Sequence, residues 1–137
     1  MNLQEEFIKE IGAYCSEVEP LPIAGFHFVY HGHHMVYLPA QGAQRVRFCI
    51  PFIAKAQEFK SERLATYINE TNREVRYIKV IELENGCISL NYDHKMSSGE
   101  KAKDIVPHIL ETLDFASHYF LRKINDKEGL LPSALNH

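Results

Sequence analysis

Apolar positions set the elements of this chain. Leu3, Phe7, Ile8, Ile11, Tyr14 and Cys15 recur at three- and four-residue steps, with Glu5, Glu6, Lys9 and Glu10 on the other side. That period predicts an amphipathic helix over residues 3–15. Pro20 and Pro22 end any helical continuation and predict a short linker. The period then changes to two. Strands are predicted over 25–31, 34–40 and 45–53, the last two joined by the loop Gln41-Gly42-Ala43-Gln44. In the third strand Val46, Phe48, Ile50 and Phe52 share one face, and Pro51, which cannot donate to a ladder, belongs at its end or on an open edge.

Leu64, Tyr67, Ile68 and Thr71 predict a helix over 61–72, with Ser61 as its cap and Asn72 as a left-handed terminator. The stretch VRYIKVIELENGCISLNYD follows, and Asn85-Gly86 is the preferred two-residue turn of a β-hairpin. Pairing about that turn sets Leu83 opposite Ile88, Ile81 opposite Leu90 and Lys79 opposite Tyr92, with Tyr77 extending the apolar face. A long helix over 100–125 closes the chain, with Ala102, Ile105, Ile109, Leu113, Ala116, Phe120 and Ile124 at helical spacing. Ser97 or Ser98 can cap it. Pro107 either kinks it or marks its first turn. Residues 126–137, with Gly129 and Pro132, are expected to be loosely ordered, and 1–137 form one domain.

The first hairpin, FHFVYHGHHMVYL, carries the densest candidate chemistry. A two-residue turn at either Gly32-His33 or His31-Gly32 sorts the side chains alike. Phe26, Phe28, Tyr30, Met35 and Tyr37 share one face; His27, Val29, His31, His34, Val36 and Leu38 share the other. His31 and His34, if directly opposed, could hold one metal ion together. His27 is four residues from His31, about 13 Å along a strand, and cannot join that ligand set. Two ligands fall short of a catalytic zinc site, so others would have to come from His94, His108, His118, an acid or a second subunit. The alternative is a solvated, histidine-rich hairpin tip. Val29, Val36 and Leu38 place aliphatic groups on a face that should be wet, which marks a possible interface comprising Val29, His31, His34, Val36 and Leu38. Cover from the N-terminal helix or the C-terminal tail is the competing explanation.

Composition narrows the classes. The net charge is −3 over 137 residues, with no basic excess to neutralise phosphates, so no nucleic acid is expected. No apolar run approaches the roughly 18 residues of a membrane span, and the acidic, amphipathic N-terminus lacks the features of a secretion signal. Cys15, Cys49 and Cys87 form no C-x-x-C pair and read as small buried or half-buried residues in a reducing cytoplasm. No zinc-protease, P-loop, dinucleotide or nucleophile-elbow motif is present. Asn69, Asn72, Asp93 and His94 gather near the helix-to-hairpin junction, and Asp93-His94 is half a catalytic pair without a nucleophile. Arg45, Arg47, Arg73, Arg76 and Lys79 could cluster as an anion groove or lie scattered; Tyr67 and Tyr77 read as core-edge aromatics.

The segment LATYINETNREVRYIKVIELENGCISLNYD joins a helix ending in N-x-x-N (Asn69, Asn72) to a strand, an Asn-Gly turn and a strand ending in Tyr92-Asp93, with a long amphipathic helix after it. This pattern resembles the YbjN-type family, described as bacterial sensory-transduction regulators and similar in fold to type III secretion chaperones. The resemblance implies an α+β domain, often dimeric, with helices on one face of an antiparallel sheet. It offers no active-site residues to carry over. The histidine-rich hairpin and the absence of tryptophan depart from the family pattern. The expected fold is therefore a five-stranded antiparallel sheet in the order α-β-β-β-α-β-β-α. The expected function is non-enzymatic: a cytoplasmic, homodimeric, chaperone-like or regulatory domain that docks a partner polypeptide on a sheet face or edge, with no cofactor. The alternative is a small-ligand or metal-binding protein using the His31/His34 hairpin; an enzyme without cofactor ranks third.

Overall fold

The structure, a computed structural model, describes residues 2–39 and 44–124. Residues 126–137 and most of the 41–44 loop, for which expectations were stated, lie outside the described residues. Helix α1 (Leu3–Tyr14) is followed by strands β1 (Ser16–Pro20), β2 (Phe26–Tyr30), β3 (His33–Pro39) and β4 (Arg45–Lys55). Then come a single 3₁₀ turn (Ala56–Glu58), α2 (Ser61–Glu74), β5 (Ile78–Glu82), β6 (Cys87–Lys95) and α3 (Ala102–Ile124). The strands form one six-stranded sheet in the order β1-β2-β3-β4-β6-β5, antiparallel throughout.

The α+β class and the covering of one face agree with expectation; the strand count is six, not five. The extra strand is β1, where the two prolines predict only a linker. α1 ends at Cys15 in extended conformation and the chain runs directly into Ser16–Pro20, pairing with β2 through a bulge near Glu17, whose φ is 54°. Pro20 lies at the end of an edge strand, a place that tolerates a missing N–H.

Local chemistry explains the helix ends. Asn2 Oδ1 accepts from the Glu5 amide at 2.8 Å and Glu5 Oε2 from the Asn2 amide at 3.3 Å, a reciprocal capping box. α2 differs from its expected ends: Ser61 is its first residue rather than its cap, and the helix passes Asn72 to reach Glu74. In α3 Pro107 is the sixth residue, beyond the first turn, so the Lys103 carbonyl loses its helical donor at an exposed position. Packing carries the helix through, since Ile105, Val106, Ile109 and Leu110 around it are buried.

The two hairpins respond differently to their turns. In β2–β3, Tyr30 pairs with His33, Phe28 with Met35 and Phe26 with Tyr37. His31 and Gly32 therefore form the turn, with φ of 49° and 80°, as a type I′ turn requires. In β5–β6, Glu82 pairs with Ile88, Val80 with Leu90 and Ile78 with Tyr92. This is one residue away from the expected register. The Gly86 amide donates to the Leu83 carbonyl, and the Leu83 amide to the Cys87 carbonyl, making a three-residue loop with Gly86 at φ 85°. Asn85 is not left-handed, so the type I′ turn does not form. The slip turns Ile78 and Val80 to the core, while Tyr77 and Leu83 are exposed. Phe52 also leaves its expected face: the β4–β6 register shifts between Ile50 and Ala54, and Phe52 is exposed.

A single core joins the helices to one face of the sheet. Phe7 and Ile11 of α1, Leu64 and Tyr67 of α2, and Ile109, Leu113 and Phe120 of α3 meet Phe28, Tyr37, Phe48, Val80 and Leu90 of the strands. Phe7 stacks on Tyr37 with ring centroids 5.3 Å apart, and Phe48 packs against both. Each such side chain contributes about 1.5–3 kcal/mol on leaving water.

Candidate functional site

The strand registers fix what the helix-free face displays. Glu19 pairs with His27, His27 with Val36, Val36 with Cys49, Cys49 with Asn91, and Asn91 with Lys79. Paired residues project to the same side, so these six form one row across all six strands. The row has a carboxylate at the β1 edge, an ammonium at the β5 edge, the polar His27 and Asn91 inside these, and Val36 and Cys49 at its centre. Val29, next to His34, and Leu38, next to Arg47, flank its centre. Val29, Val36 and Leu38 are half-buried; Cys49, Ser89 and Asn91 are buried within the face itself. Arg47 clasps Asp93 through two bonds of 2.6 and 3.0 Å. α1 packs into the core layer on the opposite face, so it does not cover these residues.

Both sheet edges are guarded. At β5, Asn72 Oδ1 accepts from the Val80 amide at 2.6 Å and its Nδ2 donates to the Val80 carbonyl at 3.3 Å. A side-chain amide thus takes the place of an added strand. Asn72 was expected to end α2; its role is to close this edge. The β1 edge carries its bulge, Glu17, Glu19 and Pro20. A groove of about 970 Å³ lies between α2 and β5, lined on its apolar side by Phe59, Leu64, Ile68, Ile78 and Val80.

The four histidines of the first hairpin divide between two places. His27 and His34, on the helix-free face, stack at 5.1 Å and share a 2.9 Å ring-nitrogen contact. His31 and His34 are not opposed: His34 faces Val29, and His31 sits in the turn. Of the two turns the sequence allows, the one at His31-Gly32 forms, and it is the Gly32-His33 turn that would have set these two histidines opposite each other. His31 Nδ1 lies 3.1 Å from Asp114 Oδ2, and His33 Nε2 lies 2.9 Å from Asp114 Oδ1. His118, one helical turn beyond Asp114 on α3, brings Nε2 to 3.1 Å from the same Oδ1. Burial by itself raises the Asp114 pKa, but hydrogen bonds from His31 and His33 and the nearby rings more than reverse this, and it lies below the usual carboxylate value.

Asp93 and His94 are neighbours with opposite faces. Asp93 joins Arg47 outside, whereas His94 Nε2 meets Glu100 Oε1 at 2.6 Å. The half-pair read from sequence is thereby split. The His94 bond, then the Ser97 amide, lowers the Glu100 pKa. Arg45, Arg47 and Lys79 share the helix-free face, while Arg73 occupies the last turn of α2, so the five cations named above do not form one groove. Tyr77 stacks on Tyr92 at 5.8 Å and meets the edge of His108. Burial pushes the Cys15 and Cys49 thiols up to about 11.

No family model matches the chain, and no curated protein matches it. Among solved structures, it is similar to an uncharacterized protein from Methanothermobacter thermautotrophicus, at 14% identity and TM-score 0.64, covering 93% of this chain and 100% of that one. It is also similar to YbjN from E. coli, described as a candidate transcription regulator, at 11% identity and TM-score 0.59, covering 93% of each chain. At such identities the likeness is one of fold: the chain has the YbjN-like α+β fold.

Proposed function

We propose that this chain is a non-catalytic, protein-binding domain of regulatory or chaperone-like type, acting in the cytoplasm, and that its helix-free sheet face docks a second copy of itself. The observation that carries this reading is the row Glu19–His27–Val36–Cys49–Asn91–Lys79. A two-fold axis parallel to the strands, passing between β3 and β4, sets Glu19 of one copy against Lys79 of the other and brings the apolar centres together. Face-to-face sheets pack about 10 Å apart with interdigitating side chains, which suits an aliphatic centre with a charged rim. The guarded edges favour the face over strand addition.

The fold shared with YbjN supports a regulatory reading, and the net charge of −3 favours proteins over nucleic acid as the means of regulation.

Light scattering across a dilution series tests this. The expected result is twice the chain mass, falling to a monomer in Val36→Glu, with a Glu19→Lys/Lys79→Glu charge exchange restoring dimers that either single change weakens. A monomer at every concentration contradicts the reading, as does a dimer indifferent to Val36→Glu. Binding of a different protein on this face by a monomeric chain would replace the self-association with a hetero-complex.

A further inference from the structure

We propose that His33, Asp114 and His118 form a binding site for a divalent transition-metal ion of the zinc class. One ligand atom from each lies within 4.8 Å of the others. His33 Nε2 and His118 Nε2 stand 2.9 and 3.1 Å from Asp114 Oδ1. Zinc bonds of about 2.0–2.1 Å in a tetrahedron separate neighbouring ligand atoms by about 3.3 Å. Asp114 Oδ1 therefore needs to draw back only slightly from each imidazole, while the two imidazole nitrogens, within 4.8 Å of one another, settle at the same spacing. Two imidazoles and one carboxylate suit zinc, cobalt or nickel and not the oxygen-seeking magnesium or calcium.

Supporting groups surround this triad. Asp114 and His118 sit four residues apart on one face of a 23-residue helix, a rigid base. His31 Nδ1 binds the other carboxylate oxygen, Asp114 Oδ2, at 3.1 Å, and so fixes the orientation of the ligand. His31 does this from a left-handed turn position, φ 49°, uncommon for a residue with a Cβ. Beside His33 lies a cavity of about 440 Å³, lined also by Gly32, Pro51, Phe52, Ser117 and Leu121. Ser117 Oγ is buried there with no hydrogen-bond partner among the described residues. Three protein ligands leave a coordination position for water or a small anion, and this cavity supplies space next to His33. The ion would fasten the tip of the β2–β3 hairpin to the middle of α3. None of the three ligands stands on the proposed docking face with His27 and His34, although His34 also lines this cavity.

Titration of the metal-stripped full chain with Zn²⁺, and with Co²⁺ as a spectroscopic probe, tests the proposal. The expected result is stoichiometric uptake at micromolar protein, with visible cobalt bands of low-coordinate geometry. Uptake is lost in His33→Ala/His118→Ala and kept in His27→Ala/His34→Ala. Imidazole ¹⁵N spectra of the unaltered chain give an independent reading: His33 and His118 shift on adding Zn²⁺ while His27 and His34 stay in place. Sub-stoichiometric uptake, uptake unaffected by the His33/His118 change, or ¹⁵N shifts confined to His27 and His34 overturns the proposal.

Discussion

His33 and His34 are adjacent in sequence and belong to opposite faces of the sheet. His34 joins His27, and His33 joins Asp114, which is 81 residues away. The sequence makes the faces of this hairpin legible, because a two-residue turn at either place sorts its side chains alike. It does not reveal the partner of the turn. The i, i+4 spacing of Asp114 and His118 is visible, but only the packing of α3 under the hairpin brings it to His31 and His33. Cysteine chemistry is easier to anticipate, since burial is the main cause that raises the Cys15 and Cys49 thiols to about 11. At pH 8 these two should alkylate slowly in the native chain and rapidly in urea, a difference that peptide mass spectrometry measures. Phe48 is fully buried among Phe7, Phe28 and Tyr37. Phe48→Ala should cost about 3–5 kcal/mol in a chemical denaturation curve.

Among the elements, the helices follow their apolar periods closely. All seven spaced positions of the long helix, Ala102 to Ile124, are buried. The β5 strand is harder to read because it is apolar at both parities: Ile78 and Val80 compete with Tyr77, Ile81 and Leu83. Its register then depends on whether Gly86 closes a two- or a three-residue loop, and the loop takes three. Asn72 has a consequence at this edge. Asn72→Ala removes both side-chain bonds to Val80, so stability should fall by about 1 kcal/mol, and the bared strand should aggregate faster on mild heating, as scattering would record. Glu100 ties the end of β6 to the start of α3 through His94 and the Ser97 amide. Its pKa is lowered in the fold. Its contribution is therefore present above the unfolded value, about 4.3, and is lost as pH falls through the lower folded value. Glu100→Gln should be less stable than the parent chain at neutral pH, and the gap should close in acid urea titrations.

At the scale of the whole molecule, the described residues form two layers, with three helices on one face of a six-stranded sheet. The one-faced cover is legible from alternation and helical period. The sixth strand is not, because Ser16–Pro20 carries two glutamates and a proline and has no apolar alternation to announce it. Its presence matters, for it places Glu19 at one end of the row that Lys79 ends at the other. That row is the basis for reading this face, which no helix covers among the described residues, as the place where two copies meet. Isotope-filtered NOE spectroscopy on a mixture of labelled and unlabelled chains examines that contact directly. The account predicts intermolecular NOEs at the methyl groups of Val29, Val36 and Leu38. Their absence in a sample that is dimeric by mass, or intermolecular NOEs confined to the exposed sides of α2 and α3, would contradict it.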